Sequence, residues 1–432
     1  MLALIDGRDS RAPVQIPRPE AVRGGEPVEE VRAIVQDVQI RGDEALLEYT
    51  RRFDRARLRP EELRVDEVTI GRARKLVRPE LIAALEVMKE RLTETHERQL
   101  RSTWLDRRDG ELIGELIRPV RRAGIYVPGG RAAYPSSVMM GVVPATVAGV
   151  EGIAVASPPD PNGEVAEPVL AACAVAGVTE VYRMGGAQAI AALASGTESV
   201  RPVQKIVGPG NVYVTIAKRL VQNIVGIDSE AGPTEIAIIA DGSADPGAVA
   251  ADIIAQAEHG PHGAHVLITW EPEFAEVVLV RIEQQLSMHP RGEDVENALI
   301  EGGTAVLVRD LEQAIETTNA FAPEHLELIF DGAFDSLDEI RNAGAVFVGE
   351  WSPVPVGDYV AGTNHVLPSG GTARWSSGLT SNDFVKSIYV SGLERRALER
   401  LAPHIDALAE AEGLPWHARS VRARLELPDP LS

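Results

Sequence analysis

Residues 236–260 read IAIIADGSADPGAVAADIIAQAEHG, and this stretch indicates the fold. Its first residues are an uninterrupted run of Ile and Ala, which is typical of a strand covered on both faces of a sheet. The Asp, Gly and Pro residues that follow favour a turn, and an Ala-rich helical run then ends at Gly260. A strand, a turn and a helix in this order are the start of a βαβ unit.

The same order recurs in residues 153–177, IAVASPPDPNGEVAEPVLAACAVAG, which could reflect duplication of one α/β domain. Ala-rich strand–helix units also converge easily, so the similarity alone leaves that question open. From about residue 118 to 349, short apolar runs alternate with helical stretches, which predicts parallel sheets. The candidate strands are residues 124–127, 152–157, 180–184, 204–207, 235–240, 265–269, 305–308, 326–330 and 345–348.

The residue pattern differs at the two ends of the chain, where it is typical of helices. Residues 73–100 carry apolar side chains at spacings of three and four, which predicts amphipathic helices. Near the C-terminus, Pro403 is expected in the first turn of a helix that reaches Glu412. We therefore expect an α/β protein whose parts are a helical N-terminal region packed partly on the first α/β domain (1–120), two Rossmann-like parallel-sheet domains (121–233 and 234–380) and a helical C-terminal tail (381–432).

The composition narrows the class of protein. The 432 residues include 43 basic and 64 acidic ones, and the formal net charge of −21 disfavours nucleic acid as the main partner. A single cysteine excludes a disulfide framework and a cysteine-based zinc site. The first residues lack the pattern of a secretory signal, and the longest uncharged run contains two prolines, so we expect no membrane span. We expect a soluble protein of a reducing, cytoplasmic compartment.

Polar residues beside Gly and Pro mark candidate functional loops. Residues 124–131, GIYVPGGR, begin on a candidate strand, and residues 208–211, GPGN, open a helix whose free N–H groups suit a phosphate. Both stretches also fit ordinary turns, and the standard dinucleotide fingerprint GxGxxG is absent. Gln256 and His259 are three residues apart at a helix end, so they can present an amide oxygen and an imidazole to one ion. A lone His259 also fits a structural role.

A second set of candidate residues is scattered along the chain. Glu324 and His325 are adjacent, and such a pair can divide proton transfer between two groups of different pKa. The same pair also fits a solvated strand end. The remaining candidates, each of which also fits a turn, a solvated position or simple packing, are Asp358, His365, Glu412 and His417.

Taken together, these segments resemble the histidinol dehydrogenase family from about residue 31 to residue 427. The motifs that carry the resemblance are GIYVPGGRAAYPSSVMM, GGAQAIAALA, KIVGPGNVYV, SEAGPTEIAIIAD, QAEHGP, APEHLEL, GDYVAGTNHVLPSGGTAR and EGLPWHARSV. The resemblance implies two-step oxidation of L-histidinol to L-histidine through L-histidinaldehyde, the last step of histidine biosynthesis, with NAD and zinc as cofactors. It also implies a homodimer in which the C-terminal tail of one subunit reaches the active site of the other.

The resemblance assigns roles to residues of this sequence. It implies acid–base residues at Glu324 and His325. The implied NAD contacts, all within residues 121–233, are Tyr126, Gln188 and Asn211. The implied zinc ligands are Gln256, His259, Asp358 and His417. The implied substrate contacts are these four ligands together with Thr234, His325, His365 and Glu412, and Thr234 stands where many relatives have Ser.

The chemistry of these residue types agrees with the implied roles. His325 suits a base for the hydroxyl proton because imidazole titrates near neutral pH, and Glu324 could activate water for the second oxidation. Cys173 lies in an apolar helical run, which disfavours a covalent thiol route. By analogy with the family, zinc mainly binds and orients the substrate. Two alternatives stay open, namely oxidation of another small alcohol within the same family and a zinc-dependent hydrolase or lyase on an α/β scaffold.

Overall fold

The computed structural model describes residues 2–19, 25–129, 133–229 and 232–428. The chain forms two compact units, one comprising Met1–Gln99 and Val120–Phe384 and the other comprising Leu100–Pro119 and Val385–Ser432. The larger unit holds two parallel sheets with helices between their strands, which confirms the predicted α/β class. The boundaries placed at residues 120, 233 and 380 stay a prediction.

The strands and helices are numbered in chain order. The strands are β1 (Ala3–Asp6), β2 (Trp104–Arg108), β3 (Glu111–Pro119), β4 (Arg122–Tyr126), β5 (Gly152–Ser157), β6 (Glu180–Arg183), β7 (Lys205–Val207), β8 (Gly226–Ile227), β9 (Glu235–Ala240), β10 (Ala264–Thr269), β11 (Gly303–Leu307), β12 (His325–Ile329), β13 (Ala345–Val348) and β14 (Val385–Leu393). The helices are α1 (Val28–Arg41), α2 (Asp43–Tyr49), α3 (Glu67–Leu76), α4 (Pro79–Gln99), α5 (Pro135–Val147), α6 (Glu167–Ala176), α7 (Gly186–Ser195), α8 (Val212–Leu220), α9 (Pro246–Ala257), α10 (Pro272–Leu286), α11 (Gly292–Gly302), α12 (Leu311–Phe321), α13 (Val354–Tyr359), α14 (Arg395–Ala411) and α15 (Pro415–Leu425).

One parallel sheet of the larger unit has the strand order β6-β5-β4-β7-β8. Helices α1, α7 and α8 cover one face with buried apolar side chains such as Val31, Ile190 and Ile216. Helix α5 packs on strands β4 and β5 and against α6. Cover by helices explains why the strands of this sheet lack the alternation of a half-exposed strand.

The other parallel sheet has the strand order β1-β11-β10-β9-β12-β13. Helices α9, α10 and α11 pack on one face, where Val249, Val278 and Val295 are buried. Helix α12 covers the opposite face with Ala314 and Ile315. Strand β1 was not predicted, and it adds a parallel edge strand from the N-terminal region that the sequence suggested to be helical.

The smaller unit contains an antiparallel sheet of order β14-β3-β2 together with α14 and α15, which pack on each other. These strands lie in regions expected to be helical. Pro403 lies inside α14 rather than in its first turn, so that expectation was wrong. The residues before it, RRALERL, are good helix formers that extend the helix toward the N-terminus.

The predicted amphipathic stretch 73–100 is split between two helices. Helix α3 ends at Leu76, and α4 begins at Pro79, because proline suits the first helical position and disfavours the helical conformation in the residue before it. Within the described ranges, no helix combines the length and the apolar character that a bilayer crossing requires.

Candidate active site

Predicted catalytic and substrate residues meet at the amino ends of two neighbouring strands. Thr234 directly precedes β9, Glu324 directly precedes β12, and His325 is the first residue of β12. The strands pair in parallel with His325 opposite Ile236, so this register brings the side chains that start both strands together. Helix α9 places Gln256 in its last turn beside them, since the Gln256 amide nitrogen lies 3.3 Å from Nδ1 of His325.

A hydrogen-bond chain links three of these side chains. The Gln256 amide nitrogen donates to the Thr234 hydroxyl, and that hydroxyl donates to Oε2 of Glu324 at 2.9 Å. The backbone N–H of Glu235 donates to the same carboxyl oxygen at 2.8 Å. Because the amide nitrogen of Gln256 is engaged in this chain, the amide oxygen is the atom that an ion could bind.

The protonation of His325 follows from its contacts. Its Nδ1 lies 2.9 Å from the backbone carbonyl oxygen of Glu235, and a carbonyl can only accept. Nδ1 therefore carries the proton, and Nε2 keeps the lone pair that a general base needs. The ring also stacks on Phe347, with centroids 6.2 Å apart, and this contact restricts its orientation.

His259, Asp358 and His365 complete the cluster. Nδ1 of His365 donates to the backbone carbonyl oxygen of Asp358 at 3.2 Å and lies 4.0 Å from the Asp358 carboxylate. His259 lies two residues beyond the end of α9. The residue as a whole is exposed, but its ring lies close enough to surrounding protein to be desolvated, and the Asp358 carboxylate interacts electrostatically with it. The structure thus brings Thr234, Gln256, His259, Glu324, His325, Asp358 and His365 together.

The titration of these groups favours neutral forms. Desolvation by the surrounding protein lowers the pKa of His259, His325 and His365, and the Asp358 carboxylate only partly offsets this effect. The three imidazoles are therefore neutral near pH 7. Burial raises the pKa of Glu324 to about 8, against the opposing effect of its hydrogen bonds from Glu235 and Thr234. A carboxyl group tuned in this way can exchange protons near neutral pH.

The predicted cofactor contacts line one cavity of about 1070 Å³, at the carboxyl ends of β4, β5 and β6. Open α/β sheets usually bind ligands at this edge. The Tyr126 hydroxyl accepts from the backbone N–H of Gly186 at 3.0 Å, and Asn211 caps α8 by accepting from Val214 at 3.2 Å. Gln188 is buried, and both polar atoms of its amide have no hydrogen-bond partner. A polar ligand in the cavity would satisfy that amide.

A buried ion pair holds the glycine loop at residues 208–211. The Lys218 ammonium contacts the Asp228 carboxylate and donates to the Gly208 carbonyl oxygen at 3.0 Å. The Gly208 N–H donates to Asp228 at 2.7 Å. Gly208 has φ +120°, and a Cβ there would lie 2.1 Å from the carbonyl oxygen of Tyr126. Only glycine fits this loop without a shift in the cavity wall.

Some predicted residues lie elsewhere or are not described. Glu412 and His417 belong to the smaller unit, at the end of α14 and in the first turn of α15, and both are exposed there. His262 contacts Glu301 at 3.1 Å, and His265 is buried within β10, so neither follows His259 on the same helix. Parts of two quoted motifs, residues 130–132 and 230–231, lie outside the described residues.

Comparison with known proteins decides the family. The family model for histidinol dehydrogenase matches residues 19–425. The chain belongs to the histidinol dehydrogenase family. Histidinol dehydrogenase of Synechococcus sp. is 48% identical over 400 residues, which cover 92% of each chain. That of Methanopyrus kandleri is 49% identical over 403 residues, which cover 91% of this chain and 93% of the relative.

A solved structure gives the same answer at the level of the fold. The crystal structure of histidinol dehydrogenase from Elizabethkingia anophelis has a TM-score of 0.91 and 35% identity to this chain, and the alignment covers 98% of both chains. The predicted family and its oxidoreductase class are therefore confirmed.

The side chains clustered around His325 include donors that suit zinc. Zinc accepts imidazole nitrogen and carboxylate oxygen, and a neutral imidazole such as that of His259 is the form that binds a metal. Among the described residues, no group of three or more His, Cys, Asp or Glu side chains is arranged to hold a metal ion. His259 and Asp358 therefore need further donors, and the amide of Gln256 could provide one.

Several polar residues inside this protein were not predicted from the sequence. Glu327 is an acidic residue within the apolar strand β12, and Asp252 interrupts the apolar run of α9. A carboxylate in a buried strand is costly unless it is paired, which is a signal readable from sequence. The Lys218–Asp228 pair had no such signal, because its residues are separated by the loop between α8 and β8.

Proposed function

We propose that this protein oxidises L-histidinol to L-histidine in two steps through L-histidinaldehyde, with NAD as the hydride acceptor and zinc bound at the substrate site. The observation that carries the proposal is the arrangement of His325, whose Nε2 is available as a base beside the donors of His259 and Asp358. Membership of the histidinol dehydrogenase family, and relatives that are themselves histidinol dehydrogenases, support L-histidinol as the substrate.

One set of residues would bind zinc, and a different set would bind NAD. Gln256, His259 and Asp358, with His417, would bind zinc, which when bound orients the imidazole and amine of the substrate. Tyr126, Gln188 and Asn211 would contact NAD in the cavity at the carboxyl edge of the first sheet. Thr234, His365 and Glu412 would add contacts to the substrate.

In the first oxidation, His325 accepts the hydroxyl proton of L-histidinol at Nε2, and NAD, when bound, would take hydride from the carbon that bears this hydroxyl. The Glu235 carbonyl oxygen holds the proton on Nδ1 throughout and stabilises the imidazolium that forms. Stacking on Phe347 keeps the ring in the orientation that proton transfer requires. The product of this step is the aldehyde.

In the second oxidation, Glu324 takes a proton from water as the water oxygen adds to the aldehyde carbon. His325 returns its first proton to solvent before this step, and it then accepts the remaining hydroxyl proton of the hydrate anion at Nε2. A second NAD, when bound, would take the hydride, and the product is the carboxylate. A pKa of about 8 places Glu324 close to the pH at which a base is most effective. Cys173 is buried and burial raises the pKa of its thiol to about 12, so water rather than thiolate is the nucleophile.

The proposal includes a homodimer. Glu412 and His417 would reach the active site of the partner subunit, and each site would need two chains. The reaction would take place in the cytoplasm.

The experiment that tests the function is incubation of the purified protein with L-histidinol and NAD, with L-histidine and NADH as the expected products. Omission of NAD is the control that separates this reaction from a zinc-dependent hydrolase or lyase. Product formation without NAD would contradict the proposal, and NADH formed only from another alcohol would identify a different substrate within the family.

A further inference from the structure

A carboxyl group lies inside the strand that carries His325. Glu327 is two residues further along β12, so its side chain points to the same face of the sheet as His325. It is fully buried on the face that α9 covers. Burial of an isolated carboxylate is costly, so such a group needs partners.

Glu327 has one backbone partner with a clear structural role. Its Oε1 accepts a hydrogen bond from the backbone N–H of Val354 at 2.9 Å, and Val354 is the first residue of α13. The helix has six residues, and Asp358 is the fifth. The bond therefore fixes the start of the short helix that presents Asp358.

The other oxygen of Glu327 faces a second carboxyl group. Oε2 is buried and has no conventional donor, and the side chain interacts with that of Asp252 on α9. Two carboxyl groups can form a hydrogen bond only if one of them carries a proton. Burial and the neighbouring Asp252 raise the pKa of Glu327, and burial raises the pKa of Asp252. Two buried carboxyl groups that face each other are least costly when the pair holds one proton.

The pair joins the elements that hold the active-site groups. Asp252 lies four residues before Gln256, which is one helical turn away on the same side of α9. Glu327 lies two residues after His325, and its backbone partner begins the helix of Asp358. Helix α9, strand β12 and helix α13 are thus linked through these two carboxyl groups.

We propose that Asp252 and Glu327 are positioning residues whose shared proton fixes α13 against α9 and β12 and so sets the spacing of Asp358 from Gln256, His259 and His325. The inference rests on the proposed function, since it treats Gln256, His259 and Asp358 as zinc ligands. Neither residue touches substrate or cofactor in this account. Partners that orient metal ligands typically change metal affinity by about 10–100-fold when they are removed.

The test compares zinc affinity of the full-length protein across a set of variants. Glu327→Leu removes both hydrogen bonds, and we expect its zinc dissociation constant to rise about 10–100-fold in competition with a chelator. Glu327→Gln is the matched control, because its amide can accept from Val354 and donate to Asp252. We expect the zinc affinity of the Gln variant to stay within about threefold of wild type, because its side chain keeps both hydrogen-bond partners. At saturating zinc, Glu327→Leu should recover most of its kcat.

A second pair of variants, at Asp252, keeps the test informative if Glu327→Leu does not fold. Asp252→Ala removes the second carboxyl group at a half-buried helical position, whereas Asp252→Asn keeps a donor for Glu327. We expect the Ala variant to bind zinc about tenfold more weakly than the Asn variant. The inference would be overturned if a folded Glu327→Leu variant bound zinc as tightly as wild type. It would also be overturned if Asp252→Ala and Asp252→Asn bound zinc equally well. Neither result would contradict the proposed function. Wild-type protein that binds no zinc would overturn the proposed function as well.

Discussion

The backbone carbonyl oxygen of Glu235 on β9 accepts a hydrogen bond from Nδ1 of His325 on β12, over a distance of 2.9 Å. This contact crosses between neighbouring parallel strands, so the sheet itself selects the tautomer of the base. Nε2 is left with a lone pair and can accept a proton from a substrate. The register of β9 with β12 thus determines which ring nitrogen of His325 acts as the base.

Replacement of His325 by Asn should remove proton transfer while zinc stays bound. We expect kcat to fall by about 10²–10⁴-fold, which is the usual contribution of a positioned base. Turnover with L-histidinol and the zinc content of the purified variant are the two measurements. His262→Asn is the matched control, because His262 contacts Glu301 and has φ 70°, a conformation that Asn tolerates. Loss of zinc from the His325→Asn variant would contradict the assigned role.

Substitution of Gly208 by Ala should disturb the cofactor cavity. The new Cβ would lie 2.1 Å from the carbonyl oxygen of Tyr126, and φ is +120°, so we expect a loss of about 1–3 kcal/mol in stability. We also expect the KM for NAD to rise more than the KM for L-histidinol.

The control for that variant is Gly71→Ala on the exposed side of α3. Beyond its chain neighbours and the backbone of its own helix, no atom lies within 4 Å of a Cβ placed there, so alanine should stabilise the helix by up to about 1 kcal/mol. Urea unfolding and NAD saturation curves measure both effects. An unchanged KM for NAD in the Gly208 variant would argue against a cofactor in this cavity.

The stability of the protein should depend on the ionisation of Asp54. Burial raises the pKa of this carboxyl group to about 7, and its Oδ2 has no hydrogen-bond partner. The folded chain therefore holds the proton more tightly than the unfolded chain, and stability falls as pH rises from about 4 to 7. Relative to Asp54→Asn, the unfolding free energy of wild type should fall by about 2–4 kcal/mol over that range.

Urea unfolding at fixed protein concentration and several pH values measures this difference. Asp9→Asn, a change at an exposed surface position, is the control substitution. A flat difference for Asp54→Asn would mean that Asp54 is not desolvated in the folded protein.

Complementation tests whether active sites are shared between subunits. The proposed dimer predicts that mixed subunits of inactive His325→Asn and inactive His417→Asn regain activity, since one of the two sites would have both native residues. Refolding the two variants together and measuring NADH formation provides the test. Absence of recovered activity in a verified mixed dimer would show that His417 acts within its own chain.

The buried part of the fold was predictable from sequence, and the exposed part was not. Strands such as β9 are continuous apolar runs that read clearly as buried parallel strands. The antiparallel strand β2, WLDRR, is mostly exposed and charged, so its sequence carries no strand signal. Strand β1 has four residues and gains its stability from pairing with β11, a contact that no local pattern can indicate.

The active site shows the same division. The Glu324-His325 pair and the Gln256–His259 spacing were readable as candidates because each is local in sequence. The contact between Thr234 and Glu324 spans 90 positions, and it depends on the register of β9 with β12. The link from Glu327 to α13 likewise arises only when the strand and the helix pack together.

The most direct test of the account is the number of NADH molecules formed per L-histidinol consumed, measured before chelation, after chelation and after zinc is restored. We expect two NADH per substrate, loss of activity on chelation and recovery with zinc. One NADH per substrate, with L-histidinaldehyde released, would contradict the two-step reaction and the role of Glu324. Activity that survives complete removal of zinc would contradict the assignment of Gln256, His259 and Asp358 as the ligands that hold the substrate's metal.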